Sequence, residues 1–273
     1  GGGVGVILLS LGVIPSDEES FHAPKWVVAV AGGIFAGAGL WMWIVSLRNW
    51  LRTRGRAAEA ALYPDEPWRG DNAWDPEGIR DAPVRKAFAP FVGAAAMAVF
   101  TAPFAWVGWA KGDTVFAIAA GVMALVVLAI FASGVYYLLR ALKYGQSELR
   151  WKRFPFFLGE ALEVEFVNAR GFGRFRSLSL TLRCIEERIE TRGDSTSVVC
   201  TELYADTVRM EEGGEYNAGD GALPLAFPLP EDGRSTALSN HPPVYWELEI
   251  EADTPGVDFE TRFLVPIYAP PEA

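Results

Sequence analysis

The chain is 273 residues long, 51% hydrophobic and only 21% charged, with a mean hydropathy of +0.16. That is apolar for a water-soluble globule of this length, and the composition excludes a disordered or collagen-like chain. Two cysteines, Cys184 and Cys200, exclude a disulfide-rich scaffold and a four-cysteine zinc site. The net charge of −10 divides unevenly. Residues 1–144 hold 12 Lys+Arg against 11 Asp+Glu, a net of +1, and residues 145–273 hold 12 against 23, a net of −11. The acidic half repels nucleic-acid phosphates and anionic lipid headgroups, which leaves basic or neutral protein surfaces as its partners.

In chain order, Val4–Ile14 is apolar but too short to span a bilayer, and it reads as the end of a truncated first helix or as a short interfacial segment. Its flanks lack the basic region and small-residue cleavage site of a signal peptide. Three stretches then carry no Asp, Glu, Lys, Arg or His: Trp26–Leu47, Ala87–Ala110 and Thr114–Leu139. Each exceeds the roughly 20 residues that cross a bilayer core as a helix. Trp26, Trp41, Trp43, Trp106 and Trp109 lie towards the ends, where an aromatic belt belongs. Within the first stretch, Gly33 and Gly37 form a G-x-x-x-G pair that would let a second helix approach closely, and Pro90 and Pro103 are expected to kink the next. The spans offer only Ser46, Thr101, Thr114 and Ser133 as polar side chains and no His, so neither an ion path nor a His-ligated pigment is expected.

The basic flanks orient the spans. Arg48, Arg52, Arg54 and Arg56 follow the first, Arg85 and Lys86 precede the second, and Arg140, Lys143, Arg150, Lys152 and Arg153 follow the third, whereas the 16–24 loop holds Asp17, Glu18 and Glu19 without a base. Short basic loops stay in the cytoplasm, so the 48–86 loop and the acidic half are expected there.

From about Phe154 the hydrophobic period becomes two, with turn residues at short intervals. Leu162, Val164 and Phe166 mark one strand. Leu178, Leu180, Leu182 and Cys184 share a face of another, which turns near Arg192-Gly193-Asp194 and returns through Val198, Cys200 and Glu202. Leu223–Phe227 is short. Tyr245–Glu251 sets Trp246, Leu248 and Ile250 against Glu247, Glu249 and Glu251, and Thr254-Pro255-Gly256 turns the chain into Phe259, Thr261, Phe263, Val265 and Ile267. Six or seven strands without helical period predict an antiparallel β-sandwich. The expected fold is membrane α plus all-β. Three to four transmembrane helices and the 48–86 loop fill residues 1–144, and a cytoplasmic sandwich of arrestin-like or immunoglobulin-like type fills 145–273.

No phosphate-binding glycine loop, nucleophile elbow or H-E-x-x-H occurs. His241 is the only His of the soluble half, the glutamate row reads as the wet face of a strand, the triplets Arg69–Asp71 and Arg192–Asp194 read as turns, and both cysteines read as buried free thiols. No catalytic residue, metal site or cofactor is therefore expected. The segment Leu62–Ile79 is different: it holds Trp68, Trp74 and three prolines, with Asp65, Glu66, Asp71 and Asp75 around them. Two Trp in a linker are costly to expose. Trp68, Trp74 and Pro67 are thus the candidate contact residues, docking on the headgroups, on the chain's own sandwich or on a partner.

Pro64-x-x-Pro67-Trp68 with Asp71-x-x-Trp74, and Trp246-x-Leu248, Pro255-Gly256-x-Asp258 and Phe263-x-Val265-Pro266-Ile267 further on, resemble uncharacterised bacterial inner-membrane proteins that join a few transmembrane helices to an arrestin-like C-terminal β-sandwich domain. Arg69-Gly70 departs from their pattern, where an aromatic follows the first Trp. The resemblance spans roughly residues 40–268 and implies a fold and an inner-membrane setting, with no activity attached. The expected function is a non-enzymatic membrane interaction or scaffold protein. The alternatives are an accessory subunit of a photosynthetic or respiratory complex and, less favoured, a membrane-anchored hydrolase using His241. The expected partners are the bilayer and other membrane-protein subunits.

Overall fold

The structure is a computed structural model and describes residues 25–192, 195–211, 213–217 and 219–271. The apolar run at 4–14 and the acidic 16–24 loop lie outside the described residues. Two compact units emerge, the described part of 1–52 with 87–136, and 53–86 with 137–273. The 53–86 linker, expected with the helical half, thus groups with the sandwich, as does the end of the last helix.

The described residues form four helices: α1 (Lys25–Leu62), the short α2 (Pro67–Asp71), α3 (Pro83–Ala110) and α4 (Thr114–Tyr144). Of these, α3 and α4 are long and apolar enough to cross a membrane by length and composition. The expected first span begins within α1, but α1 continues to Leu62, because Leu51–Leu62 is rich in Ala, Leu and Arg, which favour helix, and contains no Pro. α3 runs unbroken through Pro90 and Pro103. It meets α4 closely where Gly108 leaves no room for a side chain, a Cβ there falling 2.6 Å from the Ala117 nitrogen. Phe91 packs edge-on to Phe131 at 5.3 Å between ring centroids. Asp113 caps α4 by accepting from the Val115 and Phe116 N–H groups, and Gly145, with φ of +68°, closes its other end.

The second unit is a β-sandwich. One sheet has the order β1 (Gly78–Arg80), β2 (Ser147–Trp151), β4 (Ala161–Asn168), β9 (Leu223–Pro228). The other has β11 (Phe259–Val265), β10 (Val244–Asp253), β6 (Ser177–Arg192), β7 (Ser195–Met210), and all neighbours in both are antiparallel. A ribbon pairs β5 (Gly171–Phe175) with β8 (Gly214–Asn217), and β3 (Phe156–Phe157) runs parallel to β12 (Ile267–Tyr268). The expected strands are all found, with two changes. Pro266 has no N–H for the ladder, so the last strand breaks there and Ile267 joins β3 instead. Sheet structure also begins before Phe154, because Leu149 of β2 is fully buried and the linker contributes β1. Gly78 permits that pairing, since a Cβ there would collide with the Leu149 carbonyl oxygen. Glu148 ties the two strands from the outer face: burial pushes its carboxyl up, but hydrogen bonds from Arg80 and Arg150 outweigh this and hold it below the usual carboxylate range.

Alternating residues of both sheets meet in one core. Leu149, Leu162, Val164, Phe166 and Phe227 face Leu180, Leu182, Trp246, Leu248, Ile250 and Phe263, and Phe166 lies edge-on to Phe259 and Phe263 at 6.0 and 6.3 Å. The last turn of α4 belongs to this core. Tyr144 is buried, edge-on to Phe259 at 5.1 Å, and its hydroxyl bonds the Val257 carbonyl. Lys143 donates to the carbonyls of Pro255 and Val257 at 2.9 Å each.

Candidate functional site

The Trp/Pro segment lies against the sandwich of its own chain. Pro67 opens α2 at a position where its missing N–H costs nothing, and it remains exposed. Trp68 is half-buried and stands edge-on to Phe157 and Tyr268, at 6.2 and 6.0 Å. Trp74, also half-buried, donates its indole N–H to the Tyr268 hydroxyl at 2.9 Å. That hydroxyl in turn donates to Asp71 at 3.1 Å, whose other oxygen accepts from the Ser239 N–H and hydroxyl at 3.0 and 3.3 Å. Burial, then the Asp71 charge, pushes the Tyr268 phenol up, so it stays a donor throughout the physiological range. The Arg69–Asp71 triplet, expected as a turn, closes α2 and supplies this buried carboxylate, because Asp71 finds three donors away from water. Asp75 completes the strap by accepting from the Trp151 indole at 3.0 Å through its carbonyl.

Gly33 and Gly37 are exposed on α1, and a Cβ at either would meet no described atom within 4 Å. His241 is likewise exposed.

A surface that the sequence reading did not single out is the outer edge of β7. This strand is sixteen residues long and ends its sheet, and its described residues are exposed or half-exposed on both faces. Beyond Glu186, where β10 stops pairing, residues 187–192 and 195–200 form a ribbon of two strands. Ile189 and Val198 face each other there, 69% and 61% exposed. The signal in the sequence was the unusual length of the two alternating runs, which outlast their neighbours in the sheet.

The bulge at Cys184 and Ile185 pairs Cys184 with Tyr204 and places Cys200 opposite Glu187. Cys184 is buried, as expected, but Cys200 is exposed, because none of the described residues form a layer over the ribbon. Burial chiefly, opposed by Arg234 and aided by Glu186, pushes the Cys184 thiol up to about 12. We expect one thiol per native chain to react with a chromogenic disulfide at pH 8 and two after denaturation. Two fast native thiols would be incompatible with Cys184 in the core.

The glutamate row is not a uniform wet face. Glu249 is buried and lies 2.9 Å from Arg183, which also holds Glu247 at 2.6 Å, and Arg262 pairs with Glu249 from the next strand. Glu249, Glu251 and Glu260 place carboxylate oxygens within 4.8 Å of one another. Burial, then the charges of Glu249 and Glu260, pushes the Glu251 carboxyl up. Arg183 and Arg262 both pair with Glu249, and Arg262 also reaches Glu260, so two guanidinium groups partly offset the charge of these three carboxylates.

No family model matches the sequence, and no curated protein matches it. Among solved structures the chain is similar to Spo0M, a sporulation control protein from Bacillus subtilis, at 16% identity over 45% of this chain and 49% of that chain, with a TM-score of 0.31. The match spans about half of that protein's length, and at this TM-score it carries no conclusion about fold or function.

Proposed function

We propose that the chain is a non-enzymatic integral membrane interaction protein that holds an arrestin-like β-sandwich at the cytoplasmic face of a bacterial inner membrane. On this reading the β7 edge is where an extended segment of a partner protein docks. The observation that carries the reading is α4 itself. Its apolar stretch has bilayer length, and the same helix ends at Tyr144, which is buried in the sandwich core. An unpaired strand edge offers a row of backbone donors and acceptors that a second chain can complete. The ribbon and strand carry Glu187, Glu190, Glu202 and Asp206 beside Arg188, Arg192 and Arg209, four acids against three bases, which favours a neutral or weakly basic segment. The reading as an accessory subunit of a larger energy-transducing complex draws support from one further observation. The described residues leave the apolar faces of α3 and α4 largely uncovered, 17% and 6% of their most apolar stretches being buried, so these faces suit neighbouring helices as well as lipid.

Cys200 tests the reading without altering the sequence elsewhere. In spheroplasts it should resist a membrane-impermeant maleimide and react with a permeant one. A photocrosslinker attached there should capture the same protein in native membranes each time, and replacing Val198 by Pro, which removes a strand donor, should abolish capture. Labelling by the impermeant reagent would invert the topology, and capture unaffected by Val198→Pro would remove β7 as the docking edge.

A further inference from the structure

A pocket of about 350 Å³ opens beside the last turns of α4, lined by Asp81, Lys86, Tyr137, Arg140, Glu260 and Arg262 among others. Its volume lies at the low end of the roughly 300–1,000 Å³ of small-ligand sites. The charged groups alternate around it. Asp81 accepts from Lys86 at 2.7 Å on one oxygen and from the Thr261 hydroxyl at 3.1 Å on the other. Glu260 lies 3.3 Å from Arg140 and 3.2 Å from Arg262. Lys86 is 63% exposed and held by Asp81 alone among the ion pairs described, so it can exchange partners at little cost. Position in the chain identifies the level of the pocket. Lys86 immediately precedes the charge-free stretch Ala87–Ala110, and Arg140 immediately follows Thr114–Leu139. Two groups at the ends of bilayer-length stretches stand where phospholipid headgroups lie.

We propose that this pocket binds the headgroup of a phosphatidylethanolamine-type phospholipid, with Lys86 and Arg140 on the phosphate and Asp81 on the ammonium. The inference rests on the membrane reading above. Lys86 leaves Asp81 for the phosphate, and the lipid ammonium takes its place, so each charge keeps a partner. A purely anionic headgroup would draw Lys86 away and leave Asp81 unpaired, whereas Glu260 keeps Arg262, and the net charge of −11 on residues 145–273 opposes it further. A choline headgroup has no N–H to donate to Asp81.

The full chain in mild detergent, stripped of lipid, is titrated with short-chain phosphatidylethanolamine, phosphatidylcholine and phosphatidylglycerol, and bound lipid is counted by native mass spectrometry. Phosphatidylethanolamine should bind roughly tenfold more tightly than either, the worth of one charge-assisted hydrogen bond. Lys86→Gln should lose most of that binding with an unchanged melting temperature. Asp81→Asn should erase the preference over phosphatidylglycerol. Equal binding of the three lipids, or tighter phosphatidylglycerol, would overturn the proposal, as would equally tight binding of water-soluble glycerophosphoethanolamine, which would make the ligand a free metabolite. An alkaline carbonate wash of native membranes separates the two failures. Protein that stays in the membrane without a lipid preference sinks only the headgroup site, whereas protein released by the wash sinks the membrane reading and this site with it.

Discussion

Trp246→Ala should lower the stability of the sandwich by roughly 3–5 kcal/mol, the usual cost of deleting a buried indole. Trp246 is fully buried between the sheets. Its ring centroid lies 5.3 Å from that of Tyr204, and its N–H donates to the Arg234 carbonyl at 2.7 Å. Truncation therefore opens a cavity and takes the indole donor from the Arg234 carbonyl. For a unit of this size, about 2–4 °C per kcal/mol translates the effect into a melting temperature lower by roughly 6–20 °C. Near-ultraviolet circular dichroism of the detergent-solubilised chain reads it. Ile189→Ala on the exposed ribbon is the matched control, with an expected change within about 0.5 kcal/mol. If both variants melt together with the parent, Trp246 does not organise the core.

The double variant Trp68→Ala with Trp74→Ala should be nearly as costly. Each ring is half-buried, and half of the roughly 150–250 Å² of a Trp at about 25 cal/mol per Å² comes to about 2–3 kcal/mol. Both rings touch Tyr268, so their losses overlap, and we expect roughly 3–5 kcal/mol for the pair. Loss of Trp74 also removes the donor that orients the Tyr268 hydroxyl toward Asp71. The melting temperature should fall, and limited proteolysis between residues 63 and 78 should speed up. Crosslinking from Cys200 should persist in the chains that remain folded. A variant that melts like the parent but loses its partner would show instead that the two Trp residues serve a foreign surface.

These two expectations differ in how they could be reached. That Trp246 lies in a core followed from alternation alone: on β10, Trp246, Leu248 and Ile250 must share a face because successive side chains of a strand point to opposite sides. The same period gave β4, β6 and β11, and the charge-free stretches gave the long apolar helices. Where a strand was short or its neighbours charged, the period failed. Ser147–Trp151 is read more readily as a basic flank than as β2, and three residues at Gly78–Arg80 carry no period at all. Glu249 shows the limit from the other side. Its place in an alternating row predicts water, yet Arg183 and Arg262 arrive from the strands on either side and allow it to be buried.

The sequence by itself determined which segments are apolar enough for a bilayer, which residues turn inward in the longer strands, and that Trp68 and Trp74 need cover. Each of these is a local property, fixed by composition or by a period of a few residues. Only the tertiary structure decided what covers the two Trp residues, where the linker pairs, and which strand is left without a neighbour. Asp71 meets Tyr268 across 197 positions, Asp81 meets Thr261 across 180, and β7 is an edge because no later strand returns to it among the described residues. Contacts of that separation are set by sheet order and by the packing of one layer on another, and no local pattern in a single chain encodes either.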